Sequence, residues 1–301
     1  MEATTSDGSR AISKFHISDV IIIVVLVILC STCVIPFWHV LVKSISSDMA
    51  VMMKEVFFWP KDITFEAYSK VFSDASMVRS MGYSVVVTVI FTALGMITCT
   101  CAAYPLSKKR LKGKGFFTFV LMVPMYFSAG MIPSFILMYN LKLIDSMWVL
   151  ILPLIYSPYN MLVMKTYLQS TIPDSLEESA FLDGATNLQI LRKIVLPLSK
   201  PIIATLSLFY AVGRWNAYAD HMYYIRSDSK RMIQYKLYLL VQGAEASISA
   251  SLGDVGGASN TTTPEVLQAA CIMFVSVPII IIDPFLQKYF VKGAMVGAVK
   301  G

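Results

Sequence analysis

The sequence predicts an all-α integral membrane protein with six transmembrane helices, and three observations carry that prediction. The chain has 301 residues, 56% of them hydrophobic and only 15% charged, with a mean hydropathy of +0.65. A soluble domain of this length carries about a quarter charged residues. The apolar residues are also gathered into uninterrupted blocks, and a basic loop between two of those blocks supplies an orientation.

The elements follow in chain order. Residues 1–19 are polar and precede an apolar run at 20–42 that is too long for a signal-peptide core and lacks a small-residue cleavage site. It reads as a retained first helix. Blocks at 80–106, 116–140 and 147–164 contain no Asp, Glu, Lys or Arg. A bilayer core is crossed by about 20 helical residues, so each block can span. Two weaker blocks follow, one broken by Arg214 and one by Asp283. The helices are placed at about 20–42, 80–106, 116–140, 147–168, 201–220 and 265–287, within a single membrane domain at 20–290 followed by a tail at 291–301. Prolines 105, 124, 133, 153, 158, 278 and 284 lie in or beside these spans. Such kinks are tolerated where helices line a cavity or pack on neighbours.

The loop SKKRLKGKG at 107–115 holds five basic residues and no acid. By the positive-inside rule it is cytoplasmic. Counting outward, both termini and the 165–200 segment share that side, while 43–79, 141–146 and 220–264 face outside. The net charge of +6 therefore reports topology and gives no reason to expect nucleic acid. The first outer segment, with FFWPKDITFEAYSKVF, is expected to lie on the membrane surface as short helices. The second ends in a Gly/Ser/Thr-rich stretch read as a flexible outer loop, and it contains an isolated glycosylation-type triplet at Asn260.

All five cysteines fall inside predicted spans, and the C-x-x-C spacing of Cys30 and Cys33 reads as small apolar residues. Histidines at 16, 39 and 221 are too scattered for a metal or catalytic cluster. No G-x-x-x-x-G-K-[ST] loop is present to cradle a nucleotide. The polar intervals are too short for a separately folded enzymatic domain.

The informative polar passage is EESAFLDGATNLQILRKIVLPLSKP, at 177–201. The preceding DSLE at 174–177 reads as a capping box, with Asp174 as cap and Glu177 reaching back, and a first helix runs from 175 to about 182. Gly184 permits a turn that a Cβ would oppose. TNLQ at 186–189 is a second capping box. The helix it opens carries an apolar stripe of Leu188, Leu191, Ile194 and Val195 and stops at Pro197 and Pro201. Helix, tight corner, helix is the reading. Ser179, Ala180, Gly184 and Ala185 leave room for another surface, and Glu177, Glu178 and Asp183 offer acids to it. An ordinary helical hairpin resting on its own membrane domain fits the local physics slightly better.

Glu178-Ser179-Ala180, then Asp183-Gly184-Ala185, then Leu196-Pro197, resembles the EAA loop of bacterial ABC importer permeases, with Ser179 where the family usually has Ala. The ending LQKYFVKGAMVGAVKG, the RWNAY stretch at 214–218 and WPKDITFEAYSKVF are similar to carbohydrate-type permeases, particularly the second, maltose-transport-like subunit. The form of the ending looks most like the complex-oligosaccharide and polysaccharide branch common in Gram-positive bacteria. The resemblance covers nearly the whole chain and implies a type I importer permease fold with a coupling-helix loop at 171–200.

It further implies a heterodimer with a second permease, two copies of a cytosolic ABC ATPase that bind ATP and Mg, and an extracellular solute-binding lipoprotein that delivers an oligosaccharide. This chain would hold no cofactor and would not itself be an enzyme. In the bacterial plasma membrane, ATP-driven closure of the ATPases would rock the helices between inward- and outward-facing states. Glu178 would meet a basic residue of the ATPase, Ala180 would allow close approach, Gly184 would set the corner, and Asp183 would cap the turn. For the sugar path the candidates are Arg214 and Asn216, which are costly to leave in lipid, and Tyr126 and Tyr156, which offer stacking faces. An internal partner for Arg214 is the equal alternative. An ion-coupled secondary transporter is the rival class, and it would need intramembrane carboxylates. Asp283 is the only clear one in the sequence.

Overall fold

A computed structural model describes residues 17–251 and 264–298. Within them the chain is helical and no strand forms. The expectations for residues 1–16, for Asn260 and the Gly/Ser/Thr-rich 252–263, and for 299–301 lie outside the described residues.

Helix α1 (Ile17–Ser44) is a continuous apolar rod whose central stretch is exposed, as suits a helix bathed in lipid or covered by another chain. Short helices α2 (Asp48–Met52) and α3 (Glu66–Ser73) follow. Trp38 Nε1 donates to the Phe58 carbonyl at 2.9 Å, tying this segment back to α1. Helix α4 (Ala75–Ser107) is the axis of the molecule, 33 residues and therefore about 50 Å long. Asp74 caps it by accepting from the Ser76 N–H. It is joined by α5 (Lys114–Tyr126), α6 (Met131–Asn140) and α7 (Pro158–Thr171).

Beyond α7 come α8 (Asp174–Leu182) and α9 (Asn187–Ile190), a π-helical turn (Leu191–Val195), α10 (Leu196–Leu198), α11 (Lys200–Asn216) and α12 (Ala219–Tyr224). The chain closes with α13 (Ile233–Ser251) and α14 (Pro264–Ala298).

Three helices are individually long and apolar enough to cross a membrane, in α1, α4 and α14. Three further bent pairs bring the number of candidate spans to as many as six. The single helices expected at 116–140 and 147–168 are each broken in two, near the prolines expected to kink them. Helices α5 and α6 meet at 110°, because Pro124 withholds an N–H from the preceding turn and Gly130, at φ +82°, takes the left-handed conformation. Before α7, residues 147–154 form 3₁₀ turns bent by 51° from it, with Pro153 and Pro158 both lacking a donor.

The helix expected at 201–220 ends at Asn216, where Ala217 becomes extended. Gly243 to Ser251, expected as loop, is helical. The last helix runs through Pro278 and Pro284 to Ala298, so 291–298 is helix where a tail was expected.

Two apolar cores hold the elements together. One centres on α4, α7 and α11, with Val87, Cys99, Met161, Met164 and Leu206 fully buried. Within it Gly95 lies close against Tyr210, since a Cβ at 95 would lie 2.8 Å from the tyrosine ring. The other joins the end of α1, α2, α3 and α14 through Val42, Val71, Val266 and Ala270.

Candidate functional site

The polar module at 174–198 sits at the Ser107 end of α4. Ile172 leaves α7 in extended conformation, and Pro173, whose side chain has no atom to accept a capping bond, opens α8. Asp174 is consequently the first residue of the helix and not its cap, and it pairs with Lys109 at 2.8 Å. Glu177 does not reach back either. It is buried and forms an ion pair with Lys108, whose ammonium also lies 4.6 Å above the Tyr104 ring. Removing one member of a buried pair strands the other charge and costs about 3–5 kcal/mol.

The second capping box forms as the sequence predicts. Thr186 N–H donates to Gln189 Oε1 at 2.8 Å, and Gln189 N–H returns to the Thr186 hydroxyl at 3.4 Å. Between the two helices Gly184 stands at φ +78°, with no atom within 4 Å of where a Cβ would be. Glycine is needed for the backbone angle alone. The helix begun at 187 passes through its π turn to Pro197, then bends by 81° into α11. Pro197 has no N–H for the preceding turn, and a widened turn accommodates that loss.

The predicted coupling residues divide by face. Glu178, Asp183, Gly184 and Pro197 are exposed. Ser179 is exposed too, with its hydroxyl donating to the Ser175 carbonyl at 3.0 Å. Glu177 and Ala180 turn inward, and Ala185 packs half-buried against the core. Ala180 thus provides close approach to the chain's own membrane domain, not to an outside surface. Asp183 occupies the C-terminal cap position of α8 through its backbone, but its side chain has no hydrogen bond among the described residues, so the expected side-chain cap is absent. Leu182, not singled out from the sequence, is 90% exposed at the end of α8, next to Asp183 and the Gly184 corner.

Sequence reasoning also missed the partners of the module. Arg110 donates to Asn187 Oδ1 and places its guanidinium 4.3 Å from the Phe181 ring centroid, bridging α8 and α9. Gln169 Nε2 donates to the Ser107 carbonyl at 3.2 Å. Lys109 and Asp174 shift each other's titration, the lysine upward and the aspartate downward, through their mutual hydrogen bond and charge. The detectable signal was three consecutive bases at 108–110 and two acids one helical turn apart at 174 and 177.

The four sugar-path candidates do not form one site. Arg214 is fully buried, and its Nη1 donates to Asp220 Oδ2 at 2.6 Å and to the Leu150 carbonyl at 2.9 Å. The internal partner is the alternative that the structure takes. Burial disfavours a charged Asp220, but bonds from His221 and Arg214 outweigh it and hold the carboxyl well below the usual range. Arg214 borders a cavity of about 230 Å³ with Phe91, Ser157, Asn160 and Tyr210. Asn216 is exposed on α11 and accepts from Gln234 Nε2 at 3.2 Å. Tyr126 is 71% exposed beside the α5–α6 break. Tyr156 is half-buried and donates to the Leu121 carbonyl at 2.8 Å. The side chain of Asp283 lies outside the described groups. Among the described residues no cluster of His, Cys, Asp and Glu could hold a metal.

Between three and six candidate membrane spans thus accompany a polar helix–corner–helix module. Residues 92–294 match the binding-protein-dependent transport system inner membrane component family, and the chain belongs to it. It is 37% identical over 269 residues to protein LplC of Bacillus subtilis (strain 168), covering 89% of this chain and 90% of that one. It is 39% identical over 289 residues to the polygalacturonan/rhamnogalacturonan transport system permease protein YtcP of the same organism, covering 96% and 100%. A solved chain from a bacterial ABC transporter involved in import of the acidic polysaccharide alginate superposes with a TM-score of 0.82, at 34% identity, over 92% of this chain and 99% of that one.

Proposed function

We propose that this chain is one of two permease subunits of an ATP-driven importer that takes up an oligosaccharide. Two further partners complete the machine: a pair of cytosolic ABC ATPases, which bind ATP and Mg, and an extracellular solute-binding lipoprotein. The membership of the chain in a binding-protein-dependent family supports the general reading. Relatives named for polygalacturonan/rhamnogalacturonan and galactooligosaccharide transport support a sugar polymer as cargo.

The observation that carries the mechanism is the outward face of α8. Glu178, Leu182, Asp183 and Gly184 are presented to solvent at a glycine corner, while Glu177 and Ala180 hold the same helix to the membrane domain. An exposed leucine beside exposed carboxylates suits a groove with an apolar floor and a basic rim. Loop 107–115 is rich in Lys and Arg and lies with α8 at one end of α4, so this end is assigned to the cytoplasm. With six spans, both termini would lie on that side as well. ATP-driven closure of the ATPases would draw this module toward its counterpart on the second permease, and the helices would alternate between inward- and outward-facing states. Such a switch is a bistable element biased by a ligand.

The test is reconstitution of the chain in proteoliposomes with its second permease, ATPases and binding protein. Oligosaccharide uptake is expected to require ATP on the ATPase side and the binding protein on the other. Uptake driven by an imposed proton or sodium gradient without ATP would instead establish a secondary transporter.

A further inference from the structure

We propose that Lys108, Lys109 and Arg110 form a clasp that transmits movement of the α8–α9 module into α4, making them positioning residues for transport. This rests on the reading of α8 as the ATPase-facing element, and it concerns the next link inward. An ATPase can move α8, but α8 must then be joined to a spanning helix firmly enough to move it.

The joint is built from three consecutive residues. Lys108 follows directly on the last turn of α4 and reaches Glu177 inside the protein, where both side chains are about nine-tenths buried. Lys109 holds Asp174 at the start of α8, 2.8 Å away. Arg110 stacks on Phe181 near the end of α8 and donates to Asn187 at the start of α9, so it spans the Gly184 corner. The start, middle and end of α8 are each secured to one short segment of chain.

That segment is itself stiff where it leaves α4. The Lys108 N–H donates to the Pro105 carbonyl at 3.1 Å, the Ser107 hydroxyl to the Tyr104 carbonyl at 2.7 Å, and Gln169 of α7 to the Ser107 carbonyl at 3.2 Å. The covalent links at the ends of the module are the 81° bend into α11 and Ile172, an extended helix end like Lys108. The clasp adds to these a set of side-chain contacts along the whole of α8, so movement of α8 has a route through it into α4, and α4 packs along both α7 and α11. Rigid, well-packed connections carry displacement, whereas bends absorb it.

The complete importer tests this through three variants in proteoliposomes. In Lys108→Glu, oligosaccharide uptake is expected to fall about tenfold, while the ATPases copurify at unchanged stoichiometry and continue to hydrolyse ATP, so more ATP is consumed per sugar. Lys108→Glu with Glu177→Lys is expected to restore both uptake and the ATP-to-sugar ratio. In Lys108→Cys with Glu177→Cys, a short thiol-to-thiol cross-linker is expected to sustain transport, because the clasp stays closed through the cycle.

Three results would overturn the proposal: an unchanged ATP-to-sugar ratio in Lys108→Glu, loss of copurifying ATPase in proportion to lost uptake, or arrest by the cross-linker. Should Lys108→Glu fail to accumulate, Arg110→Ala at the exposed end of the clasp is read by the same ratio. Failure of the wild-type complex to import with ATP would count instead against the assignment of α8.

Discussion

Glu177 and Glu178 are neighbours in the chain and opposite in environment, the first buried against Lys108 and the second exposed on the outer face of α8 with no hydrogen bond among the described residues. A helix advances 100° per residue, so adjacent acids on a helix lying against a surface cannot serve the same side. One anchors the module, and the other is left for a partner.

Glu178→Lys is therefore expected to lower oligosaccharide uptake strongly without unfolding the permease. The loss of one charge-assisted contact, worth about 1.5–3 kcal/mol, amounts to one to two orders of magnitude in affinity for the ATPase. Copurification of ATPase with the variant measures it. Full stoichiometry together with wild-type uptake would remove Glu178 from the docking face.

Gly184 is open on all sides but fixed at φ +78°. Gly184→Val is expected to cost about 1–2 kcal/mol in the corner, whereas Gly184→Asn is tolerated because asparagine adopts this region more readily. Gly184→Pro fails more severely, since proline cannot take a positive φ. Thermal unfolding in detergent, with uptake alongside, ranks the three. Equal behaviour of valine and asparagine would show that the angle is not what the corner requires.

Gly95 and Tyr210 set the spacing of α4 and α11. A methyl at 95 would meet the rigid tyrosine ring at 2.8 Å, so Gly95→Ala is expected to destabilise by about 1–3 kcal/mol. Tyr210→Leu in the same chain should recover part of that loss, and comparison of unfolding temperatures for the single and double variants reads the coupling. Additive losses would contradict the contact.

Arg214 and Asp220 are expected to behave as one unit. Arg214→Met leaves a carboxylate buried without its cation and should cost about 3–5 kcal/mol, whereas adding Asp220→Asn should relieve much of it. Direct contact with the sugar would appear differently, as an altered concentration dependence of uptake in a fully stable Arg214→Lys variant.

Asp145 accepts from the N–H groups of Arg226 and Ser227 and from the Ser227 hydroxyl, bonds that push its carboxyl down to about 2. Its folded value lies below its unfolded one, so the stabilisation is present above the unfolded value near 4 and is lost as pH falls toward 2. The protection of the 225–228 amides relative to their intrinsic exchange rate at the same pH should hold at pH 5 and fall on acidification below about 4. Asp145→Asn should show the lower protection already at pH 5.

The apolar blocks and the 186–189 capping box were legible because each depends on residues near one another in sequence. The break at 127–130 was less so: Pro124 and Gly130 signalled a kink, but its angle of 110° depends on what α6 packs against. Local rules misassigned Asp174 and Glu177, since DSLE satisfies a capping-box pattern and only the arrival of Lys108 and Lys109 makes pairing with them preferable. Ala180 is buried against the chain's own helices, a placement that depends on how α8 packs and not on residues near it in sequence. For Arg214, burial cost alone required a polar environment, and Asp220, six residues on, supplied it once α12 folded back.

Leu182 has a consequence for the life of the protein in the cell. A leucine 90% exposed at the Gly184 corner would be covered only once the proposed ATPase docks there. A copy made in excess of its ATPase would display that side chain to chaperones and proteases. Clearance of orphan copies would then keep the subunits in balance, with the same residue serving first for assembly and, failing that, for disposal.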